Sequence, residues 1–268
     1  MMENQIVYSD LPLLNGDIFE NICRLMNYGA EKIELMMDGE HWDHLGHRFE
    51  RIGKQLKQLP VSFSVHPPAW DMNLTSEMRS VREATFTEYK KAIEFASIIG
   101  ASHVVIHPGF CYHPSFNKKL AKKRAYEYIK ELCNVAKPLG VMLAVENVGY
   151  GGTGLYTQEE FVTLLDDIDP VAGYLVDIGH AYLDHWDIPG VIEAVKDRLI
   201  ALHIHDNNGT NDDHLPIGRG TIDLKKIIEV INKAGIDCEL ILEYAPGTQL
   251  RELQTGKSFL RQIISLAV

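Results

Sequence analysis

The chain has 268 residues, of which 46% are hydrophobic, and its 37 acidic against 26 basic side chains give a net charge of −11, which disfavours a broad electrostatic contact with nucleic acid. A run of about 18 apolar residues is absent, as is a basic N-terminal segment followed by an apolar one, which disfavours a membrane span or an export signal. Four widely spaced cysteines without a C-x-x-C pair indicate neither a disulfide framework nor a thiolate zinc site, and we expect a cytoplasmic protein.

Eight short runs of mostly apolar and β-branched residues follow one another along the chain and are typical of strands buried on both faces. The predicted strands are 6–11, 32–37, 62–67, 103–108, 142–147, 173–178, 200–205 and 239–244. Helical patterns such as 77–99 and 118–139 lie between them. Four helices are expected to end at a glycine, which adopts the left-handed conformation that closes a helix. These glycines are Gly29, Gly100, Gly140 and Gly235.

The alternation of strands and helices, with no linker rich in Pro, Gly or Ser, predicts an α/β fold. Eight strands in a chain of this length predict a (β/α)8 TIM barrel, with residues 1–268 forming a single domain. An open, doubly wound sheet is the alternative. Both folds place the functional residues at the carboxyl ends of the strands.

The last six predicted strands share one feature, since each ends on a carboxylate or an imidazole. The residues are His66, His107, Glu146, Asp177, His203 and Glu243. The carboxyl ends of parallel strands converge, and buried carboxylates without partners are costly, so the pattern predicts a divalent metal site and a metalloenzyme. Three further candidate ligands, His180, Asp212 and His214, follow in the loops.

The residues alone leave some assignments open. His203 and His205 have the same strand parity, so either side chain could point to the barrel mouth. Glu239 shares the parity of Glu243 but lies deeper, where we expect it to pair with a Lys or Arg. Trp70, in the loop after the third strand, is a candidate contact for a substrate.

A glycine-rich segment after the fifth strand resembles a dinucleotide-binding loop. Residues 149–154 match G-x-G-x-x-G, which in that class of protein opens directly into a helix. Here the next helix is expected to begin only at the capping box that Thr157 opens. We therefore expect the glycines to shape a tight loop that leaves room for a substrate.

Several motifs together resemble the xylose isomerase-like TIM-barrel superfamily, from about Ile33 onward. They are Val145-Glu146-Asn147, Val176-Asp177-Ile178-Gly179-His180-Ala181, Leu202-His203-Ile204-His205-Asp206, Leu242-Glu243, His66-Pro67 and Ile106-His107-Pro108-Gly109. This superfamily contains isomerases and epimerases of sugars and sugar phosphates, and also the endonuclease IV class of AP endonucleases.

The resemblance to the epimerases implies one divalent ion, commonly Mn, Mg or Co, and favours His203 over His205 as a ligand. Its ligands would be Glu146, Asp177, His203 and Glu243. Such an ion would chelate neighbouring oxygens of a ketose and stabilise an enediolate. Glu146 and Glu243 would form the catalytic acid/base pair. The expected substrate-binding residues are Trp70, Asn147, His180 and Arg219.

The resemblance to endonuclease IV implies three zinc ions and a hydrolysed phosphodiester. The nine ligand positions are all present, at His66, His107, Glu146, Asp177, His180, His203, Asp212, His214 and Glu243. The DNA-engaging segments depart from that class. The stretch 66–70 reads His-Pro-Pro-Ala-Trp in place of His-Asp-Ser-Tyr, and the loop after the second strand lacks the expected Arg and Gln.

These observations favour a metal-dependent isomerase or epimerase of carbohydrate metabolism that acts on a small sugar or sugar phosphate. The alternative is a zinc phosphodiesterase that cleaves abasic DNA or a small phosphoester. A barrel that binds a ligand without catalysis is disfavoured, because no ligand position is lost. A nucleic-acid partner is disfavoured by the acidic charge, and the superfamily implies that the chain could form a homo-oligomer.

Overall fold

The structure, a computed structural model, describes residues 5–45 and 48–266. Eight parallel strands pair in sequence order, and β1 pairs with β8, so that the sheet closes into a barrel. The predicted TIM barrel is therefore confirmed. The strands are β1 Ile6–Ser9, β2 Lys32–Met36, β3 Ser62–His66, β4 His103–Ile106, β5 Met142–Glu146, β6 Ala172–Asp177, β7 Leu199–Ile204 and β8 Glu239–Leu242.

Helices surround the barrel and cover the outer face of the sheet. They are α1 Ile18–Asn27, α2 Glu40–Asp43, α3 Phe49–Leu56, α4 Arg79–Ile99, α5 Lys118–Leu139, α6 Gln158–Phe161, α7 Ile178–Leu183, α8 Ile188–Val195, α9 Leu224–Ala234 and α10 Leu250–Leu266. As predicted, α4, α5 and α9 end at left-handed glycines, and the Thr157 capping box opens α6. Among the described helices, none has the length and apolar character needed to cross a membrane.

Each strand ends one or two residues before its predicted end. The backbone N–H groups of Met37 and Glu243 still donate hydrogen bonds to the neighbouring strand, at 2.8 and 3.2 Å. Hydrogen bonding between the strands therefore continues for one residue beyond these strand ends. At these positions the chain turns from the sheet into the loops at the barrel mouth. The difference matters because His107 and Glu243 lie just beyond their strands.

Asp10, which follows β1, carries a buried carboxylate that accepts a hydrogen bond from the Met36 N–H at 2.8 Å. Burial is the main reason that its pKa is raised to about 7 from 3.8, and nearby Glu34 raises it further. Since the folded pKa exceeds the unfolded one, the folded state holds this proton more tightly. The contribution of Asp10 to stability therefore falls as the pH rises from about 4 to 7.

We expect Asp10→Asn to raise the free energy of unfolding at pH 8, on the order of 2 to 4 kcal/mol, because an amide removes the cost of ionising the buried group. At pH 4.5 the difference should shrink to about 1 kcal/mol, because the unfolded carboxyl is then only partly protonated while the folded one keeps its proton. Urea unfolding at both pH values checks this. A difference between the two proteins that does not change with pH would contradict the assignment.

Candidate active site

Because side chains alternate along a strand, the candidate site residues and the residues that fill the barrel interior lie on the same face of the sheet. An inner layer of six buried apolar residues lies apart from the main core: Val7, Val105, Ala144, Leu175, Ala201 and Ile241. On five of these strands, the residue two positions further along the chain is a predicted ligand. Its side chain points to the same face as the apolar residue, because side chains two apart on a strand share a face. These ligands are His107, Glu146, Asp177, His203 and Glu243. They form the next layer towards the barrel mouth.

The Nδ1 atom of His203 lies at the middle of three carboxylates. It is 3.4 Å from Glu146 Oε1, 3.4 Å from Glu243 Oε2 and 3.8 Å from Asp177 Oδ2. All four residues are at most 4% exposed. We call Glu146, Asp177, His203 and Glu243 the four-ligand centre.

A second group adjoins this centre on the side of β3 and β4. Nε2 of His107 lies 2.9 Å from Glu146 Oε2, and Nε2 of His66 lies 3.9 Å from the same oxygen. His107 Nε2 and Glu146 Oε2 have no hydrogen-bond partner among the described residues, despite their close approach. A nitrogen and an oxygen that lie this close without a hydrogen bond between them are suited to bind one cation together.

A third group lies in the loops after β6 and β7. Oδ2 of Asp212 is 3.0 Å from His180 Nε2 and 3.2 Å from His214 Nε2. His214 has a backbone φ of 44°, in the left-handed region that is unfavourable for a non-glycine residue. Such strain persists when the surroundings impose it, and it often accompanies functional sites. His214 also lies 3.4 Å from Glu243 Oε2, which connects this group to the four-ligand centre.

Charge compensation governs the pKa values in the site. Burial alone raises the pKa of Glu146, but the charges of His107 and His203 outweigh it and hold this pKa well below its usual value. Burial lowers the pKa of His203, whereas Glu243 and other carboxylates raise it well above its usual value. Burial lowers the pKa of His214, but the hydrogen bond and charge of Asp212 outweigh burial and help to raise this pKa to about 9. Protonated imidazoles thus balance the carboxylates, and a bound cation would displace those protons.

This donor set fits a divalent cation. Nitrogen and oxygen donors are those that zinc and related ions take in proteins. Each of the groups His66-His107-Glu146, His180-Asp212-His214 and Glu146-Asp177-His180 offers ligand atoms that all lie within 4.8 Å of one another. The nine predicted ligand residues are therefore brought together at one end of the barrel.

His205 is also inward and buried, and it holds Asp177 in place. Its Nε2 lies 3.0 and 3.2 Å from the two carboxylate oxygens of Asp177. Its ring stacks on that of His214, with a centroid distance of 3.9 Å. Strand parity identified the side chain as inward without assigning it this partner. The geometry gives His205 a supporting position behind a candidate ligand.

Two expected substrate contacts lie elsewhere. The side chain of Asn147 donates to the Asp177 carbonyl at 3.0 Å and accepts from the Asp177 N–H at 2.8 Å. Its amide therefore ties β5 to β6 and positions a candidate ligand. Arg219 is exposed and is not among the residues that line the cavity at the barrel mouth. The sequence motif could not reveal either placement, since both depend on how the loops pack.

A cavity of about 370 Å³ opens over these groups. Its walls include four aromatic side chains, Trp70, Phe110, Tyr112 and Tyr150. Trp70 is 52% exposed and lies at the rim, and its contact with a substrate stays a prediction. In the part of the chain that the structure describes, no Lys or Arg lines the cavity. The described walls are thus aromatic, acidic and imidazole-bearing, and they lack the Lys or Arg side chains that commonly anchor a phosphate.

The glycine-rich segment forms one wall of this cavity. Gly149 has a φ of 84°, and a Cβ there would lie 2.9 Å from the backbone nitrogen of Gly154. Backbone pairing between Phe110 and Gly154 ties the loop to the one after β4. The following helix, α6, begins at Gln158, well after the glycines. The segment is therefore a tight loop beside the cavity.

Comparison with known proteins agrees with this architecture. Residues 24–263 match the family model described as xylose isomerase-like TIM barrel. A probable endonuclease 4 of Mesomycoplasma hyopneumoniae (strain J) is 28% identical over 203 residues, which cover 70% of this chain and 69% of the relative. The inosose isomerase of Bacillus subtilis (strain 168) is 25% identical over 191 residues, covering 67% and 68% of the two chains.

A solved structure of a D-tagatose 3-epimerase-like protein superposes with a TM-score of 0.86, at 24% identity and with 98% of each chain covered. The similarity confirms the fold over nearly the whole chain. The family model alone spans most of the barrel, from α1 to α10. The chain therefore belongs to the xylose isomerase-like TIM barrel family.

Proposed function

We propose that this protein is a divalent-metal-dependent isomerase or epimerase of a small, unphosphorylated ketose. The observation that carries the proposal is the pair Glu146 and Glu243, which reach the same nitrogen of His203 from two different strands below a small aromatic cavity. The inosose isomerase and the D-tagatose 3-epimerase-like structure support a carbohydrate substrate.

The chemistry requires a proton to leave one carbon of the sugar and another to be added. A divalent ion in the four-ligand centre would polarise the carbonyl and hydroxyl oxygens that flank that carbon. Glu146 and Glu243 both line the cavity, and one carboxylate removes the proton while the other returns it. An imidazole flanks each of these two carboxylates, since His107 lies 2.9 Å from Glu146 and His214 lies 3.4 Å from Glu243.

The cavity supports the choice of substrate. Its volume of about 370 Å³ lies within the range of small-molecule pockets. Aromatic walls offer apolar faces to the C–H groups of a sugar, while Glu, Asp and His accept or donate hydrogen bonds to its hydroxyls. Because no Lys or Arg lines the described walls, a phosphate held away from the metal would have no guanidinium or ammonium partner and would lie near Asp71 and Asp212.

The experiment is a panel of ketoses incubated with the metal-loaded protein in D₂O and followed by ¹H NMR. We expect one C–H signal of an unphosphorylated ketose to disappear as a second sugar forms, and we expect the matching ketose phosphate to react at least about 10-fold more slowly, by analogy with the cost of an unpaired buried charge. Exchange in the phosphate alone would overturn the substrate class. Exchange in no sugar would overturn the function.

Zinc phosphodiesterase is the second candidate, and the groups His66-His107-Glu146 and His180-Asp212-His214 favour it. A single ion in the four-ligand centre would not use all of their ligands, whereas a site with three zinc ions would. The similarity to a probable endonuclease 4 points the same way. Incision of an abasic duplex, or hydrolysis of bis(p-nitrophenyl) phosphate, would make this the function. We expect neither reaction.

Trp70→Ala tests the aromatic wall. The indole is at the rim, so its loss should weaken binding in the ground state and the transition state alike, raising KM about 10-fold while kcat changes little. Tyr28→Ala, at an exposed aromatic position after α1, is the matched control and should behave as the wild type. Unchanged KM in the Trp70 variant would remove this side chain from the binding site.

A further inference from the structure

Glu34 is a fully buried carboxylate in the middle of β2 that the proposed chemistry does not use. It lies beside Ser9 of β1 and Ser64 of β3 in the register of the barrel, and it shares the inward parity of Met36, which lines the cavity. Neither of its oxygens has a hydrogen-bond partner among the described residues. A charged group in such surroundings is costly unless a specific partner compensates it.

That partner is His203. Oε1 of Glu34 lies 3.2 Å from Nε2 of His203, at the distance of an ion pair although the two atoms are not aligned as a hydrogen bond here, and both side chains are fully buried. Nε2 has no other partner in the part of the chain that the structure describes. The two nitrogens of His203 therefore face different groups, since Nδ1 points to Glu146 and Glu243 while Nε2 points to Glu34.

An imidazole that binds a metal must offer a lone pair from one nitrogen and carry its proton on the other. The group that accepts this second N–H fixes the tautomer and the ring orientation, and it makes the ligand more basic. A carboxylate does this better than a neutral acceptor, because hydrogen bonds to ionised groups are stronger. Glu34 stands on the side of His203 where such an acceptor is required.

We infer that Glu34 is a positioning residue, which accepts the Nε2–H of His203 and thereby directs the Nδ1 lone pair into the four-ligand centre. The inference rests on the proposed metal site and deepens it. Glu34 does not contact the substrate, because it is not among the residues that line the cavity. Its role is to fix one ligand of the cation through a single hydrogen bond.

The test compares Glu34→Gln with Glu239→Gln. Glu239 is the matched control, since it is an inward carboxylate at the other end of the barrel that lies 3.7 Å from a different histidine, His103. Co²⁺ affinity is measured by competition with a chelator, and the visible Co²⁺ spectrum reports the coordination geometry. We expect Glu34→Gln to bind Co²⁺ about 10- to 100-fold more weakly with an altered spectrum, and Glu239→Gln to match the wild type.

The thermal midpoints of the metal-free variants check folding. Removal of one partner of a buried pair lowers stability whether the role is structural or positioning, so a lower midpoint of Glu34→Gln is expected in either case, and weaker Co²⁺ binding with an altered spectrum is the result that only positioning predicts. Equal Co²⁺ affinity in Glu34→Gln and the wild type would overturn the inference alone. A wild type that binds no Co²⁺ would overturn both the inference and the proposed function.

A further measurement needs no variant. In ¹⁵N-histidine NMR spectra of the zinc-loaded wild type, we expect His203 to carry its proton on Nε2 and to be coordinated through Nδ1. Coordination through Nε2 would contradict the role of Glu34, as would a crystal structure in which Glu34 itself contacts the ion. Both measurements use the wild type, so they test the inference even if the Glu34 variant fails to fold.

Discussion

Glu146→Gln is expected to abolish the exchange of solvent deuterium into the ketose, with a loss of at least about 10³-fold, because an amide cannot accept the proton that a general base removes. Glu146 is 2% exposed, and its exposed part lines the cavity in which the substrate is proposed to bind. The amide retains one oxygen towards the four-ligand centre, and we expect metal to remain largely bound. Exchange is followed by ¹H NMR and metal content by elemental analysis.

Glu243→Gln should give a loss of similar size, because the second carboxylate returns the proton. Glu239→Gln serves as the control for removing an inward carboxylate from the barrel, and its exchange rate should equal that of the wild type. Undiminished exchange in the Glu146 variant would remove Glu146 from the acid/base role. Loss of metal together with exchange would assign Glu146 to coordination instead.

Gly179→Ala is expected to destabilise the protein by about 3 kcal/mol or more and to abolish high-affinity metal binding. A Cβ at this position in α7 would lie 2.0 Å from Cε1 of His205 and 2.7 Å from both of its ring nitrogens. His205 has little freedom to move, since it is buried, contacts Asp177 and stacks on His214. Displacement of its ring would disturb both of these candidate ligands. Urea unfolding and Co²⁺ titration measure the two effects.

The double variant Gly179→Ala/His205→Ala shows whether the clash is the cause. If it is, the glycine substitution should cost much less stability once the ring is gone, and the two changes will be strongly non-additive. An equal cost with and without the His205 ring would show that the backbone of α7, rather than contact with His205, requires a glycine.

Strand parity made the barrel and the arrangement of the candidate site residues predictable. The same pattern recurs in neighbouring strands: an apolar residue such as Val105 or Ala144 is followed two positions later by an acid or a histidine. When the sheet closes into a barrel, these acids and histidines form a ring at the barrel mouth. The sequence pattern therefore predicts that Glu146 and Asp177 point into the barrel at its carboxyl end. The helix ends at glycines were predictable for a similarly local reason, because the left-handed conformation has few alternatives.

Contacts between strands that are distant in sequence were not predictable in the same way. Glu34 is a single acid in an apolar run, and nothing in β2 shows that it faces His203 of β7, since the tilt of the strands decides which inward layers meet. The same holds for the pairing of His205 with Asp177. Loop residues were harder still: Trp70 lines the cavity as expected, whereas Arg219 does not.

Anomalous diffraction from crystals of the metal-loaded protein tests the central claim most directly. We predict one strong peak per chain, coordinated by Glu146, Asp177, His203 and Glu243, with His66, His180 and Asp212 left free to contact a sugar. Peaks of comparable height in the His66-His107-Glu146 and His180-Asp212-His214 groups would contradict the isomerase proposal in favour of a three-metal phosphodiesterase. The lack of any peak within the four-ligand centre would contradict the metal site itself.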